Sequence, residues 1–242
     1  MFVVWVGLRM AGRVLDTGKC HVETRCAHVM GLPVVPLKSY LVVHRESGAS
    51  IELPTLHRAS AVAAYGRTWG PVLAVAGLAS MIFGAGVFPM NGVYVIAGLL
   101  GTIVGWRVGR LSPDDRERYA VYAKHIGRAV DPALMPDAER ISLRDDLRAV
   151  VIDAAVVYAG KHYREAGASP RGAWETVVLA PEVVDLVLVA RALTLSRLEA
   201  SLARTAPDKT RFGAAHDALW AKHCALRAAL TDRASESPAE TE

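Results

Sequence analysis

The sequence predicts an α+β membrane protein with a small amino-terminal β module, a two-helix transmembrane hairpin and a carboxy-terminal all-α cytoplasmic domain. Three observations predict it. Positions 68–106 form thirty-nine consecutive residues without Asp, Glu, Lys, Arg or His, where a typical domain, about 25% charged, would place about ten. Before that block, short runs rich in Val, Ile, Thr and aromatics alternate with turn-formers. After it, apolar residues recur at helical spacing. With 242 residues, 52% of them hydrophobic, and a mean hydropathy of +0.24, the chain is too apolar to be disordered.

Residues 1–66 read as the β module. Runs at 2–6, 13–16, 21–30, 40–44 and 50–53 are separated by Asp16-Thr17-Gly18, Gly31-Leu32-Pro33, Pro36 and Glu46-Ser47-Gly48. Pro33 and Pro36 argue for an edge or irregular segment. Residues 56–65 suit a short helix leading to the bilayer. The first eight residues lack the basic flank of a secretory signal, and Thr17-Gly18-Lys19-Cys20 places lysine where a lipoprotein signal wants a small residue. Insertion is therefore expected from the internal block.

Three cysteines imply no disulfide framework and suit a reducing compartment. Cys20, His21, Cys26 and His28 form the one cluster with metal-ligand chemistry. On a single extended strand Cys20 and Cys26 stand about 20 Å apart, at ~3.3 Å per residue. That leaves Cys26 and His28 as metal candidates on one face, with Val22 and Met30 on the same face offering packing as the alternative. A tetrahedral site needs four ligands, and only two are at hand, so no metal or other cofactor is expected. Thr24-Arg25 followed by Pro33-Val34-Val35-Pro36-Leu37-Lys38-Ser39-Tyr40 resembles the zinc-ribbon-like amino-terminal module of uncharacterised bacterial membrane proteins. The resemblance covers residues 1–45 and implies a small module joined to membrane helices; the paired CxxC knuckles are absent here.

Residues 67–110 are expected to form the hairpin, with spans at about 71–88 and 92–108 and a turn at Pro89-Met90-Asn91-Gly92. Helices of that length cover roughly 25–27 Å of a hydrocarbon core about 30 Å thick. Trp69 and Trp106 suit one interface and Tyr94 the other. Arg58, Arg67, Arg107 and Arg110 flank the block, which orients both termini to the cytoplasm of a multi-pass protein in the cell membrane. Ala76, Ser80 and Gly84 make a small-residue stripe, and Gly101 and Gly105 a GxxxG. These serve helix packing within the hairpin or, as the alternative, a homodimer.

Residues 111–232 read as the helical domain and 233–242 as a disordered tail. Ser112-Pro113-Asp114-Asp115 is a helix start and Gly127 its end. Ser142 and Asp145 resemble a capping box before a stripe of Leu143, Leu147, Val150, Val151, Ala154, Val157 and Tyr158. Pro181 opens a third helix; Asp185 and Arg191 leave its apolar run too short to span a bilayer. A fourth carries Phe212, Leu219, Leu226 and Leu230, with His216 and His223 near that stripe as core residues.

Catalytic templates are missing. There is no Gly-rich phosphate loop, no G-x-S-x-G, no H-E-x-x-H and no Rossmann glycine pattern. The basic residues of the amino-terminal half are scattered singly, which argues against nucleic acid. The expectation is a membrane-tethered interaction or scaffold protein without evident catalytic activity, with the lipid bilayer and a protein bound to the helical domain as partners. The alternative is a subunit of a membrane transport or channel assembly, although the hairpin has no ionisable group for such a path.

Overall fold

The computed structural model describes residues 5–43, 50–84, 88–162 and 174–236. The chain divides into two compact units, Met1–Glu117 with Arg128–Val130, and Arg118–Gly127 with Asp131–Glu242. The expected Glu46-Ser47-Gly48 turn, the start of the 2–6 run and the end of the tail lie outside the described residues.

Unit 1 opens with an antiparallel sheet, β1 (Val6–Val14), β2 (Cys20–Val29), β3 (Leu32–Val43) and β4 (Ser50–Glu52), in sequential order. Along β2 the alternate residues Cys20, Val22, Thr24, Cys26 and His28 are buried, the period-2 pattern of a strand with one covered face. The β2–β3 turn is Met30-Gly31, both at positive φ, so Leu32 and Pro33 already belong to β3. β3 carries both prolines. It tolerates them because β4 pairs only with Tyr40, Leu41 and Val42, which leaves the 33–36 edge without a strand neighbour, and because the β2 pairing is irregular there.

α1 (Arg58–Ile82) is one continuous helix, through Pro71, where a short helix and a separate span were expected. α2 (Phe88–Arg107) begins at the expected turn: Pro89 sits in its first turn, where a missing N–H costs little. α1 ends earlier, at Ile82, with Phe83 as its C-cap and Gly84 after it at φ +67°.

This corrects the membrane reading. Among the described residues no helix is long and apolar enough to cross a membrane, so the transmembrane hairpin and the multi-pass cell-membrane placement with two cytoplasmic termini are overturned. The reason lies in what an uncharged run contains. Positions 68–106 hold eight glycines besides Pro71, Ser80, Pro89, Asn91 and Thr102, and the first ten of the 25 residues of α1 precede the run and carry Arg58 and Arg67. Lack of charge is a weaker property than apolarity. Trp69 and Trp106 have protein partners instead of an interface: the Trp69 indole donates to Pro33 O at 2.7 Å, and the Arg67 guanidinium lies 4.9 Å over the Trp106 ring.

Unit 2 gathers around α6 (Leu186–Leu202), which packs with α4 (Asp137–His162), α5 (Trp174–Leu179) and α7 (Ala206–Glu236). Asp185 is the α6 N-cap and accepts from Val187 N and Leu188 N, so the helix starts five residues after Pro181. Leu188, Val189, Leu193, Leu195 and Leu198 are buried. α4 starts at Asp137, ahead of the expected capping box, and buries Leu147, Val151 and Ala155, while Val150 and Val157 face outward. α3 (Pro113–Ile126) starts and ends where its caps place it.

Candidate functional site

The seam between α1 and α2 brings two helix backbones together along its length, and it is built of glycine. A Cβ on Gly98 would stand 2.4 Å from Ala74 N and 2.6 Å from Gly70 O. One on Gly66 would lie 2.5 Å from Gly101 O, one on Gly70 2.6 Å from Thr102 N, and one on Gly105 2.7 Å from Arg67 N. Contacts to backbone cannot be relieved by a rotamer change. Gly66, Gly70, Gly98 and Gly105 therefore let the two helices touch along their main chains, the geometry that small-xxx-small patterns permit.

The expected packing residues divide between this seam and the outside. Gly105 lies in it. Gly101 is looser, with a Cβ 3.8 Å from Gly70 Cα. Ala76 is exposed, Ser80 half-buried, and Gly84 has open space around it. The missed signal is Gly66-Arg67-Thr68-Trp69-Gly70, a GxxxG that straddles an arginine and so falls across the edge of the uncharged window.

A chain of buried hydroxyls ties α1 to the sheet. His57 N–H donates to Ser39 Oγ (2.9 Å), Thr24 Oγ1 donates to Ser60 Oγ (2.9 Å) and Ser60 Oγ donates to Gly12 O (2.7 Å). Thr24 and Ser39 also bond at 2.9 Å. Because the Thr24 proton goes to Ser60, Ser39 is the donor to Thr24, and one donor direction runs from His57 to Gly12. His57 also caps α1, its Nδ1 accepting from Ser60 N at 3.2 Å, and burial pushes the imidazole below the ordinary histidine pKa. Gly12, at φ +71°, has no room for a side chain: its Cβ would fall 2.0 Å from Ser60 O.

Cys26 and His28 do share the buried face of β2. The His28 Nδ1 bonds the Cys26 carbonyl oxygen at 2.9 Å, and the Cys26 thiol donates to Thr24 O at 3.7 Å. Burial raises the thiol pKa, away from the thiolate that binds metal. Among the described residues no third His, Cys, Asp or Glu ligand atom joins them. Met30, expected beside them, is exposed in the turn.

In unit 2 the polar groups nearest the core have structural partners. Tyr122 and His216 Nε2 bond at 2.6 Å. Burial raises the phenol pKa and lowers that of the imidazole, so both are neutral near pH 7. Arg197 and Asp131 form an ion pair, and Asp131 also accepts from Ala133 N at 2.9 Å. His223 stacks on Trp220 with ring centroids 5.5 Å apart. Beside that stack, Cys224 Sγ and a ring nitrogen of His223 lie within 4.8 Å of each other, a thiol next to an imidazole.

The comparisons with known proteins are silent. No family model, no curated protein and no solved structure matches the chain. Function has to be argued from the surface that unit 1 leaves open. Once the glycine seam is closed, fifteen large apolar side chains among the described residues between Val72 and Trp106 remain exposed, including Val75, Ile82, Val93, Ile96, Leu100 and Ile103.

Proposed function

We propose that the protein is a non-catalytic interaction protein that assembles with a second copy of itself through the apolar sides of α1 and α2. The fifteen exposed apolar side chains support this reading. At roughly 50–100 Å² each they amount to about 1,000 Å², above the few hundred Å² of a typical monomer's largest patch and comparable with the ~800 Å² per partner of a stable interface. A helix apolar on all sides is ordinarily enclosed. The occupant is a second copy because the face has no charge with which to select a different partner, and obligate homo-oligomeric interfaces are the more apolar class. The glycines take no part in that contact, being used within each hairpin. The transport-assembly alternative rested on spanning helices and is not carried further.

The test is sedimentation of the full chain in detergent-free buffer over about 1–50 μM, a range that covers typical weak to moderate affinities. The expected species has twice the 26.0 kDa chain mass. The double variant Ile96→Glu, Leu100→Glu should be monomeric with unchanged helical circular dichroism. A wild-type monomer throughout the range would overturn the proposal. So would single chains that partition onto phosphatidylcholine vesicles whatever the salt.

A further inference from the structure

Where the end of β1 meets the end of α2, unit 1 encloses an open cleft of about 510 Å³. Four arginines line it, Arg13, Arg67, Arg110 and Arg116, against a single acid, Asp16. The rest of the wall includes Leu15, Trp106 and Leu111.

The arginines are brought together by specific backbone features. β1 gains one residue between Ala11 and Val14 relative to β2, a bulge that uses the positive φ of Gly12 and re-aims the residues after it. Beyond the bulge Leu15 N–H donates to Gly109 O at 2.8 Å, and Gly109 is itself at φ +73° with its Cβ position against Val14. Arg67 spans the two elements. Its Nε donates to Gly105 O at 2.8 Å and its Nη1 to Arg13 O at 2.7 Å, while the guanidinium plane lies over Trp106. Two carbonyls and a ring thus hold it in place without neutralising it.

Arg13 pairs with Asp16 at 2.7 Å. No ion pair joins Arg67, Arg110 or Arg116 to a carboxylate among the described residues. The cleft therefore has a formal excess of three positive charges. Like charges gathered this way repel one another and raise the local concentration of anions. Arg67 shows the cost: burial, with Arg110 beside it, lowers its pKa.

From this geometry we infer that the cleft is a binding site for a phosphate ester. One carboxylate would leave two guanidiniums unmatched. A phosphate monoester brings a charge of about −1.5 to −2 and three acceptor oxygens, which suits several planar donor forks. The volume lies within the usual ~300–1,000 Å³ of small-molecule sites, so the cleft admits the esterified group as well as the phosphate, against Trp106 and the two leucines. The same chemistry is offered by a soluble phosphorylated metabolite and by a phospholipid headgroup.

The experiment uses the full chain at low ionic strength with two sets of probes. Calorimetric titration takes phenyl phosphate and glycerol phosphate, with sodium chloride at matched ionic strength as the blank. Vesicle flotation takes phosphatidylcholine with and without phosphatidic acid. The expected result is binding to the soluble esters or to the phosphatidate vesicles, weakening with salt. It should fall about tenfold in Arg110→Gln and again in the Arg110→Gln, Arg116→Gln pair. Both arginines are exposed, so these variants should fold; Arg9→Gln, outside the cleft, should bind as the wild type does. Soluble-ester binding assigns a free ligand, and arginine-dependent binding to phosphatidate vesicles alone assigns the headgroup. Failure of both probes, or binding indifferent to Arg110 and Arg116, overturns the inference. Neither result depends on whether the chain dimerises.

Discussion

Adding one methyl group at Gly98 should loosen the hairpin, whereas the same addition at Gly92 should tighten it. Both residues lie inside α2, so Gly→Ala at either brings the same gain in helix propensity, about 0.5–1 kcal/mol. Their surroundings differ. The Cβ at Gly92 meets nothing within 4 Å, while at Gly98 it would fall 2.4 Å from Ala74 N and 2.9 Å from Ala74 Cα. Ordinary contact begins at 3.4 Å, so the helices must part locally by about 1 Å, and all the opposing atoms are backbone. Overpacking of this kind costs about 1–3 kcal/mol, and separation loosens the neighbouring Gly70–Thr102 contact as well. The difference between Gly98→Ala and Gly92→Ala should therefore be about 2 kcal/mol. Hydrogen exchange of α1 and α2 peptides reads it locally, as roughly a thirtyfold faster opening in the Gly98 variant. Gly101→Ala, with its nearest contact at 3.8 Å, should behave like Gly92→Ala. If all three variants slow exchange equally, the seam is not where the helices touch.

Further outcomes follow from other residues. Asp185→Ala removes the cap on Val187 and Leu188 and should lower the urea midpoint by the equivalent of about 1 kcal/mol, with Asp185→Ser recovering most of it. Thr24→Val keeps shape but leaves Ser39 and Ser60 without their shared partner. It should destabilise unit 1 by about 1–3 kcal/mol, read by exchange of the β2 and α1 amides. Burial holds His216 and His125 below the ordinary histidine pKa, so below about pH 6.5 the unfolded chain takes up more protons and stability falls with pH until the folded values are passed. Glu199, raised by burial, works in the opposite sense nearer the carboxylate range. Urea unfolding at pH 7.5 and pH 6 should show the loss, and His216→Gln should reduce its slope; an unchanged slope would remove His216 as a contributor.

Much of the element order was legible from local chemistry. The alternation of β2, the Ser112-Pro113-Asp114-Asp115 start of α3 and its Gly127 stop involve residues within one or two turns of one another, and local propensity settles such features. Capping was legible where the cap is unambiguous and misplaced where two sites compete: Asp185 outcompetes Pro181, and Asp137 precedes Ser142. The face that α4 buries lies one step from the expected stripe, because Val150 and Val151 satisfy the same periodicity and only the neighbouring helices choose between them.

By itself the sequence determined where charge is missing and the order of a β-rich stretch, an uncharged block and a helical stretch, but not the element limits: the runs at 2–6 and 13–16 are one strand over Val6–Val14, and the turn placed at 31–33 lies largely inside β3. It could not distinguish an uncharged run from one apolar enough to cross a bilayer, because glycine is neutral in the first count and poor in the second. Only tertiary structure decided that Gly66 and Gly70 face α2 while Ala76 stands exposed, since a close approach depends on the rotation of both helices at once. The arginine cleft is the extreme case. Arg13, Arg67 and the Arg110–Arg116 pair come from three distant stretches of the sequence and read singly as solvated charges; a one-residue bulge at Gly12 and two carbonyls accepting from Arg67 bring them to one place. Such gathering arises from long-range backbone hydrogen bonds, and those leave no periodicity for a sequence to display.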